Sequence, residues 1–486
     1  PAGDGLIHTH LHIRGSAARQ CAGHTHQTKR LIMTLSFNFT HSFSDKADEH
    51  GLGPQDLDYL KPRVLDALRE MRARRAAGKL EFLDLPYDAG AYTTCVQAAA
   101  SFAGVENLVI AGIGGSALGP AAIFSALCHP LHNLLDAKAR GGAPRFFVVD
   151  NVDPDHAMAC FDFCDPRETV FNIISKSGAT AETAAATLIV FDRLKKKLGA
   201  KWRDHMVCTT DPTSGDLRKL CEKEKLPTLD LPTGVGGRFS VLTPVGLFPA
   251  FLLGVDGEAM LVGAGEMAEQ CLSDDFARNP AAKLAAMLYL FDTSYGKPIH
   301  VMMAYANSLY TMADWFRQLW AESLGKAVTL DGKTVNTGPI PVKALGTTDQ
   351  HSQVQLYIEG PFDKVFLFLE VKEFEHTLKL PALYRNVSSL GYLGGQTMNK
   401  LMAAEFAATR EALARNHRPS LTITFPRVDA RAIGEFFMLF EIVTALCGHL
   451  YHINPFDQPG VELGKQLTYG LMGRKGFEEK AKGITR

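Results

Sequence analysis

An excess of charge of one sign is missing. The 486-residue chain carries 51 Lys and Arg against 52 Asp and Glu, a formal net charge of −1. A chain that coats nucleic acid or an anionic membrane needs a basic surplus, and none exists here. No uncharged run approaches the ~20 apolar residues that span a bilayer, so no membrane partner is expected. The low apolar content of a disordered chain is absent too, since 46% of the residues are hydrophobic. Cysteine is sparse and odd in number: Cys21, Cys95, Cys128, Cys160, Cys164, Cys208, Cys221, Cys271 and Cys447. Most of them lie in apolar segments, which reads as reduced, buried thiols of a cytoplasmic protein rather than a disulfide framework. Only Cys160 and Cys164 are close in sequence, and nothing metal-like flanks them, so no metal is expected.

Residues 1–32 hold five histidines (His8, His10, His12, His24, His26) and little periodicity. They read as an extension or tag before a start at Met33, with a metal-capturing tail as the alternative. Residues 57–78 read as an amphipathic helix closed by Gly78, within an N-terminal helical segment over 33–105. Short apolar runs then alternate with helical stretches. Strands are expected at 107–111, 145–149, 169–174 and 205–208, and again at 298–303, 353–358, 364–371 and 421–425. Helices are expected at 308–323, 395–416 and 430–450. Strands alternating with helices predict parallel sheets with crossover helices. The fold class is therefore α/β, with two tandem parallel-sheet domains over 106–285 and 286–450. A C-terminal segment, 451–486, follows. At ~150 residues per domain the length agrees, and a cleft between the domains is the place for a small ligand.

Six segments carry chemistry. Gly112-Ile-Gly-Gly-Ser116 follows a strand and opens a helix, where backbone N–H groups and the helix dipole attract an anion. It departs from the dinucleotide fingerprint, and a tight turn without ligand is the alternative. The run from Ser175 to Thr183 puts four hydroxyls (Ser175, Ser177, Thr180, Thr183) at a second strand-to-helix junction, which suits a phosphate monoester. A helix N-cap explains one of these hydroxyls, not four. In Gly234-Val-Gly-Gly-Arg238, the arginine is held among glycines and can stabilise substrate negative charge, or else pair with a buried carboxylate. Gln318 and Glu322 share a helix face, and Glu322 sits at the helix C-terminus, whose dipole suits a carboxylate base. His351, flanked by Asp349, Gln350 and Ser352 just before an expected strand, is an acid or base candidate near neutral pH. Lys465 follows the Pro- and Gly-defined loop Ile453–Gly464, where an anchored lysine can protonate an oxygen or meet an anion.

Together, GIGGSALGP, SKSGATAET, GGRFSVLTPVGL, Glu322-Ser-x-Gly-Lys, TDQHSQ and INPFDQPGVELGK resemble the phosphoglucose isomerase family, in its order and approximate spacing, from about residue 100 to 470. The TDQHSQ form is similar to the bacterial branch. The resemblance implies two SIS-like (flavodoxin-like) domains and a homodimer. It implies glucose 6-phosphate and fructose 6-phosphate as substrates, interconverted through a cis-enediol(ate) without a cofactor. It makes Glu322 the base and Arg238 the group stabilising the enediolate. His351, donated by the neighbouring subunit, and Lys465 open the sugar ring. Ser175, Lys176, Ser177 and Thr180 bind phosphate, and Gly115, Ser116, Gln318 and Gln458 contact substrate. The plainer loop at Gly178, Ala179 and Ala181 departs from many relatives. Alternatives within reach are a dual isomerase that also converts mannose 6-phosphate and a non-catalytic sugar-phosphate-binding SIS protein.

Overall fold

The structure, a computed structural model, describes residues 34–484. The histidine-rich extension and Cys21 lie outside the described residues. Two five-stranded sheets organise the chain. The first has the spatial order Arg145–Val149, Asn107–Ala111, Thr169–Ile174, Met206–Thr210, Thr228–Asp230, all parallel. The second runs Ser36–Asn38, Ser420–Phe425, Lys364–Val371, Ile299–Ala304, Ile340–Leu345. It is parallel except for the first strand, which pairs antiparallel with 420–425 as an edge. A small hairpin, Lys326–Val328 with Thr334–Thr337, stands apart.

The sequence dictates this arrangement through strands rich in apolar and β-branched residues. Asn107–Ala111, Thr169–Ile174 and Ser420–Phe425 are buried at every residue. Helices covering both faces demand such strands, because neither face is left for polar side chains. The strands at 107–111, 145–149, 169–174 and 364–371 coincide with expectation, and the others nearly so. The run 353–358 does not. It forms a helix, Val354–Glu359, in which Val354, Tyr357 and Ile358 pack on one core while Leu356 is exposed. Burial at i, i+3 and i+4 is a helical period, and the apparent alternation of Val354, Leu356 and Ile358 was coincidental. His351 accordingly precedes a helix, in the 3-10 turn Thr348–His351.

Helix Ala430–Leu450 is the central rod of the largest core and packs against helices Gly257–Cys271, Pro280–Thr293 and Tyr310–Leu324. By length and composition it is apolar enough to cross a membrane, yet 94% of its most apolar window is buried inside the chain. Glu435 on this helix anchors the start of the described chain, accepting hydrogen bonds from the backbone of Thr34 and Leu35.

Candidate active site

The first sheet sets the geometry. Its chain order begins at 107–111, steps outward to 145–149 and then returns to the other side at 169–174. That reversal makes a crevice at the carboxyl ends of strands 107–111 and 169–174, the switch point where open α/β sheets bind ligands. The two motif loops leave these strand ends. Helix Gly115–Leu127 starts after one and helix Ala181–Leu198 after the other.

Close backbone packing explains the glycines. A Cβ on Gly115 would stand 2.0 Å from the Gly237 carbonyl oxygen, so the first loop lies directly on the arginine loop. Gly178 has φ +69°, and its Cβ would stand 2.1 Å from Leu217 N. Glycine alone meets both demands. In the hydroxyl loop, Ser175 Oγ accepts from Gly178 N at 3.0 Å and Ser177 Oγ from Ala179 N at 3.2 Å. Thr180 is the N-cap of the 181–198 helix without a side-chain cap bond. Two of the hydroxyls thus shape the turn, and the helix N-terminus faces the crevice with its orphan donors. Lys176 is committed elsewhere: Nζ donates to the carbonyls of Thr233, at 2.5 Å, and Val235, at 2.9 Å. Burial lowers its proton affinity. The lysine thereby fastens the hydroxyl loop to the arginine loop.

Arg238 is buried and fully engaged. Nε donates to Ser323 Oγ at 2.9 Å, Nη1 to Gln458 Oε1 at 2.9 Å, and Nη2 to the carbonyls of Pro455 at 3.0 Å and Asp457 at 3.1 Å. Nη1 also stands 3.4 Å from Glu322 Oε1. Burial lowers the guanidinium's proton affinity, while Glu322 and Asp457 oppose the shift. A buried cation is tolerated when it is paired and its donors are filled. Phe82, Phe239 and Phe456 stack around the same loops, with ring centroids 5.0 to 6.1 Å apart.

Glu322 closes helix Tyr310–Leu324. Gln318, one turn earlier, donates from Nε2 to Glu322 Oε2 at 3.1 Å, and the same nitrogen crowds Gly114, whose Cβ would be 2.8 Å away. The structure therefore brings Gly115, Ser116, Arg238, Gln318, Glu322 and Gln458 together. The 462–471 helix carrying Lys465 leans on the hydroxyl loop, where Tyr469 Oη donates to Ala179 O at 2.8 Å. Lys465 itself is half exposed and pairs with Glu462 Oε1 at 2.7 Å.

His351 is not brought to this group. Gln350 donates to Tyr305 Oη at 2.8 Å, which seats its turn at the carboxyl end of strand 299–304. Glu322 lies at the far end of the helix that starts there, about 18 Å along the axis at ~1.5 Å per residue. The polar neighbours that flank the histidine in sequence fold the turn. Asp349 accepts from Leu345 N at 2.7 Å and from Ser352 Oγ at 2.5 Å. The His351 ring is exposed and has no hydrogen-bond partner among the described residues.

Sequence reasoning missed Ser323, Lys326 and Asp457 as parts of this constellation. Ser323 and Lys326 lie in the Glu322-Ser-x-Gly-Lys pattern and Asp457 in INPFDQPGVELGK, motifs that carry the family resemblance but in which sequence reasoning gave these three residues no role.

Comparison with known proteins follows the same outline. The family profile described as phosphoglucose isomerase matches residues 90–480. A glucose-6-phosphate isomerase of Carboxydothermus hydrogenoformans is 44% identical over 93% of this chain and 98% of its own length. That of Rubrobacter xylanophilus is 43% identical over 88% and 96%. Among solved structures, a hypothetical protein of Thermus thermophilus superposes with TM-score 0.79 at 37% identity, covering 86% of this chain and 97% of that one. A glucose-6-phosphate isomerase of Chlamydia trachomatis, 22% identical, superposes with TM-score 0.76 over 91% and 89%, a likeness of fold.

Proposed function

The chain belongs to the phosphoglucose isomerase family, and from that premise we propose how its residues carry the reversible isomerisation of glucose 6-phosphate and fructose 6-phosphate. The enzyme is an aldose–ketose isomerase. Its substrates share a cis-enediol, so one carboxylate can take the proton from C2 of the open-chain aldose and return it to C1. Glu322 is that base. The electrons of the broken C–H bond move into the C1–C2 bond, and negative charge gathers on the enediolate oxygens. Arg238, fixed by four acceptors and pointing at Glu322, stabilises that charge without having to reorganise.

The phosphate sits at Ser175, Ser177, Thr180 and the N-terminus of the 181–198 helix, with Lys176 bracing the loop from behind. Phosphate contacts remote from the reacting carbons supply binding energy that positions them. Gly115, Ser116, Gln318 and Gln458 contact the sugar. The ring must open first, and Lys465 with His351 exchange the protons at the ring oxygen and the anomeric hydroxyl. His351 does so from a second copy. Its exposed, unpartnered ring and its separation from Glu322 support that reading. So does the segment 378–398, where Leu378, Leu383, Tyr384, Leu390, Tyr392 and Met398 are all exposed. Exposed apolar side chains concentrated in one segment suit an interface. The functional unit is thus a homodimer, acting in the cytoplasm on sugar phosphates that do not cross bilayers unaided, in glycolysis and gluconeogenesis. The two sheets support a division into domains over 106–285 and 286–450.

The observation that carries this reading is the Arg238–Glu322 pair, 3.4 Å apart beside the hydroxyl loop. A protein that only binds sugar phosphates does not need it. The test is conversion of fructose 6-phosphate in chelator-treated buffer, read through an NADP-linked dehydrogenase, with mannose 6-phosphate in parallel. Rapid conversion of the first alone is expected. Conversion of both would make the enzyme dual-specific. Sugar-phosphate binding by folded protein without turnover of either would leave the non-catalytic reading.

A further inference from the structure

The run Glu322-Ser323-Leu324-Gly325-Lys326 ends the helix that carries the base, and each polar member has its own task. Glu322 faces Arg238, and Ser323 Oγ accepts from Arg238 Nε. Gly325 lets the chain leave the helix tightly, since a Cβ there would stand 2.8 Å from the Ala321 carbonyl oxygen. Lys326 then folds back. Its Nζ donates to the carbonyl oxygens of Glu322 at 2.8 Å and Ser323 at 2.9 Å, and stands 3.7 Å from Asp457 Oδ1. Only 6% of its side chain is exposed.

This is an expensive way to finish a helix. Terminal carbonyls are satisfied just as well by water or by a glycine cap. A buried ammonium forfeits hydration, and here it lies close to a second buried cation, Arg238. Burial and that guanidinium lower its proton affinity, against the opposing charges of Asp457 and Glu322. What the lysine gains is connection. The other oxygen of Asp457 accepts from Asn454 Nδ2 at 2.8 Å, and the Asp457 and Pro455 carbonyls hold Arg238. One ammonium therefore ties the last turn under Glu322 to the loop that clamps Arg238. It also neutralises the negative end of the helix dipole beneath the carboxylate.

We propose that Lys326 is a positioning residue of the isomerisation, fixing the Glu322 carboxylate against Arg238 by locking the helix end to the 454–458 loop. The inference rests on Glu322 as the base and Arg238 as the enediolate's partner. Gln318 and Arg238 hold the Glu322 carboxylate at its tip, but 27% of the side chain is exposed, so its place against Arg238 depends on where the helix end stands. A displacement of ~1 Å at a reacting group costs ~10²-fold in rate.

The test compares Lys326→Met, which keeps the stem and removes the charge, with Lys326→Arg. It follows kcat and KM for fructose 6-phosphate, the melting transition, and binding of glucitol 6-phosphate, which has no carbonyl to isomerise. Lys326→Met is expected to lower kcat about 30- to 100-fold, with KM and the glucitol 6-phosphate Kd unchanged within about threefold. Lys326→Arg is expected to recover at least about tenfold of that loss. A Met variant with the parent's kcat, a matching loss of affinity, or no recovery by arginine would overturn the proposal. If Lys326→Met does not melt cooperatively, Asp457→Asn decides. It keeps the carbonyl that holds Arg238 and is expected to lower kcat about tenfold at unchanged KM, and an unchanged kcat overturns the proposal. Glu322→Gln, run beside them, separates the two failures: full turnover there removes the base assignment whatever Lys326 does.

Discussion

Nη1 of Arg238 stands 3.4 Å from Oε1 of Glu322, so in the proposed roles the cation that meets the developing charge touches the carboxylate that creates it. Proton transfer and charge stabilisation are therefore separable by mutation only in their kinetic signatures.

Glu322→Gln keeps the size of the side chain and its contact with Gln318, but it cannot take a proton. Turnover is expected to fall by ~10²–10⁴, the usual share of general base catalysis. Sugar-phosphate binding, measured by calorimetry with glucitol 6-phosphate, is expected to stay close to that of the parent. Lost binding in a folded variant would count against the assignment.

Arg238→Ala removes the donor that, in the proposed role, matters most in the transition state. A loss of ~10²–10³ in kcat is expected, with a smaller change in KM. The change also leaves the Ser323, Pro455, Asp457 and Gln458 acceptors without their donor, so a lower melting temperature accompanies it. A pure KM defect would place the arginine on the phosphate instead.

Complementation tests the donated histidine. His351→Ala and Glu322→Gln are each expected to be nearly inactive. In a mixed dimer one site carries both changes and the other carries neither. Random reassortment of equal amounts makes about half the dimers mixed, so about a quarter of the parent's activity should return. Mixtures that stay inactive after verified subunit exchange would mean that His351 serves its own chain's site.

Glu441 lies inside the central helix, fully buried, and neither carboxyl oxygen has a hydrogen-bond partner among the described residues. Burial raises its proton affinity well above that of an ordinary carboxylate. The unfolded chain releases this proton near pH ~4.3, whereas the native chain keeps it to a higher pH. Stability is thus fully present below that value and is lost as pH rises toward the native one. Glu441→Gln, neutral throughout, is expected to hold its melting temperature as pH rises from 5 to 8, while the parent's falls. A difference between the two that does not vary with pH would show that the carboxyl reaches water or a partner.

The fold was legible where burial is complete. Strands such as Asn107–Ala111 are apolar at nearly every position because helices cover both faces. The strands that escaped notice are sheet edges and the small hairpin: Ser36–Asn38 and Thr228–Asp230 are three residues long, Ile340–Leu345 is broken by Pro341 and Lys343 and only partly buried, and the hairpin strands Lys326–Val328 and Thr334–Thr337 are short and largely exposed. The site divided in a similar way. Glycine turns and clustered hydroxyls are local, so Gly115, Ser175, Ser177 and Thr180 stand out from their neighbours. The acceptors of Arg238 are not local. Ser323 is 85 residues away and Asp457 is 219, and no periodicity links them to an arginine among glycines.

That span sets an order of events during synthesis. Arg238 emerges from the ribosome long before the chain that receives its outer nitrogens, because Pro455, Asp457 and Gln458 are made 217 to 220 residues later. Until then the guanidinium has only Ser323 and Glu322, made about 85 residues after it, to meet. The seat that holds it is completed only when residues 455–458 are made, so a chain that stops short of them, however well its first sheet has formed, lacks three of the four acceptors that hold the arginine.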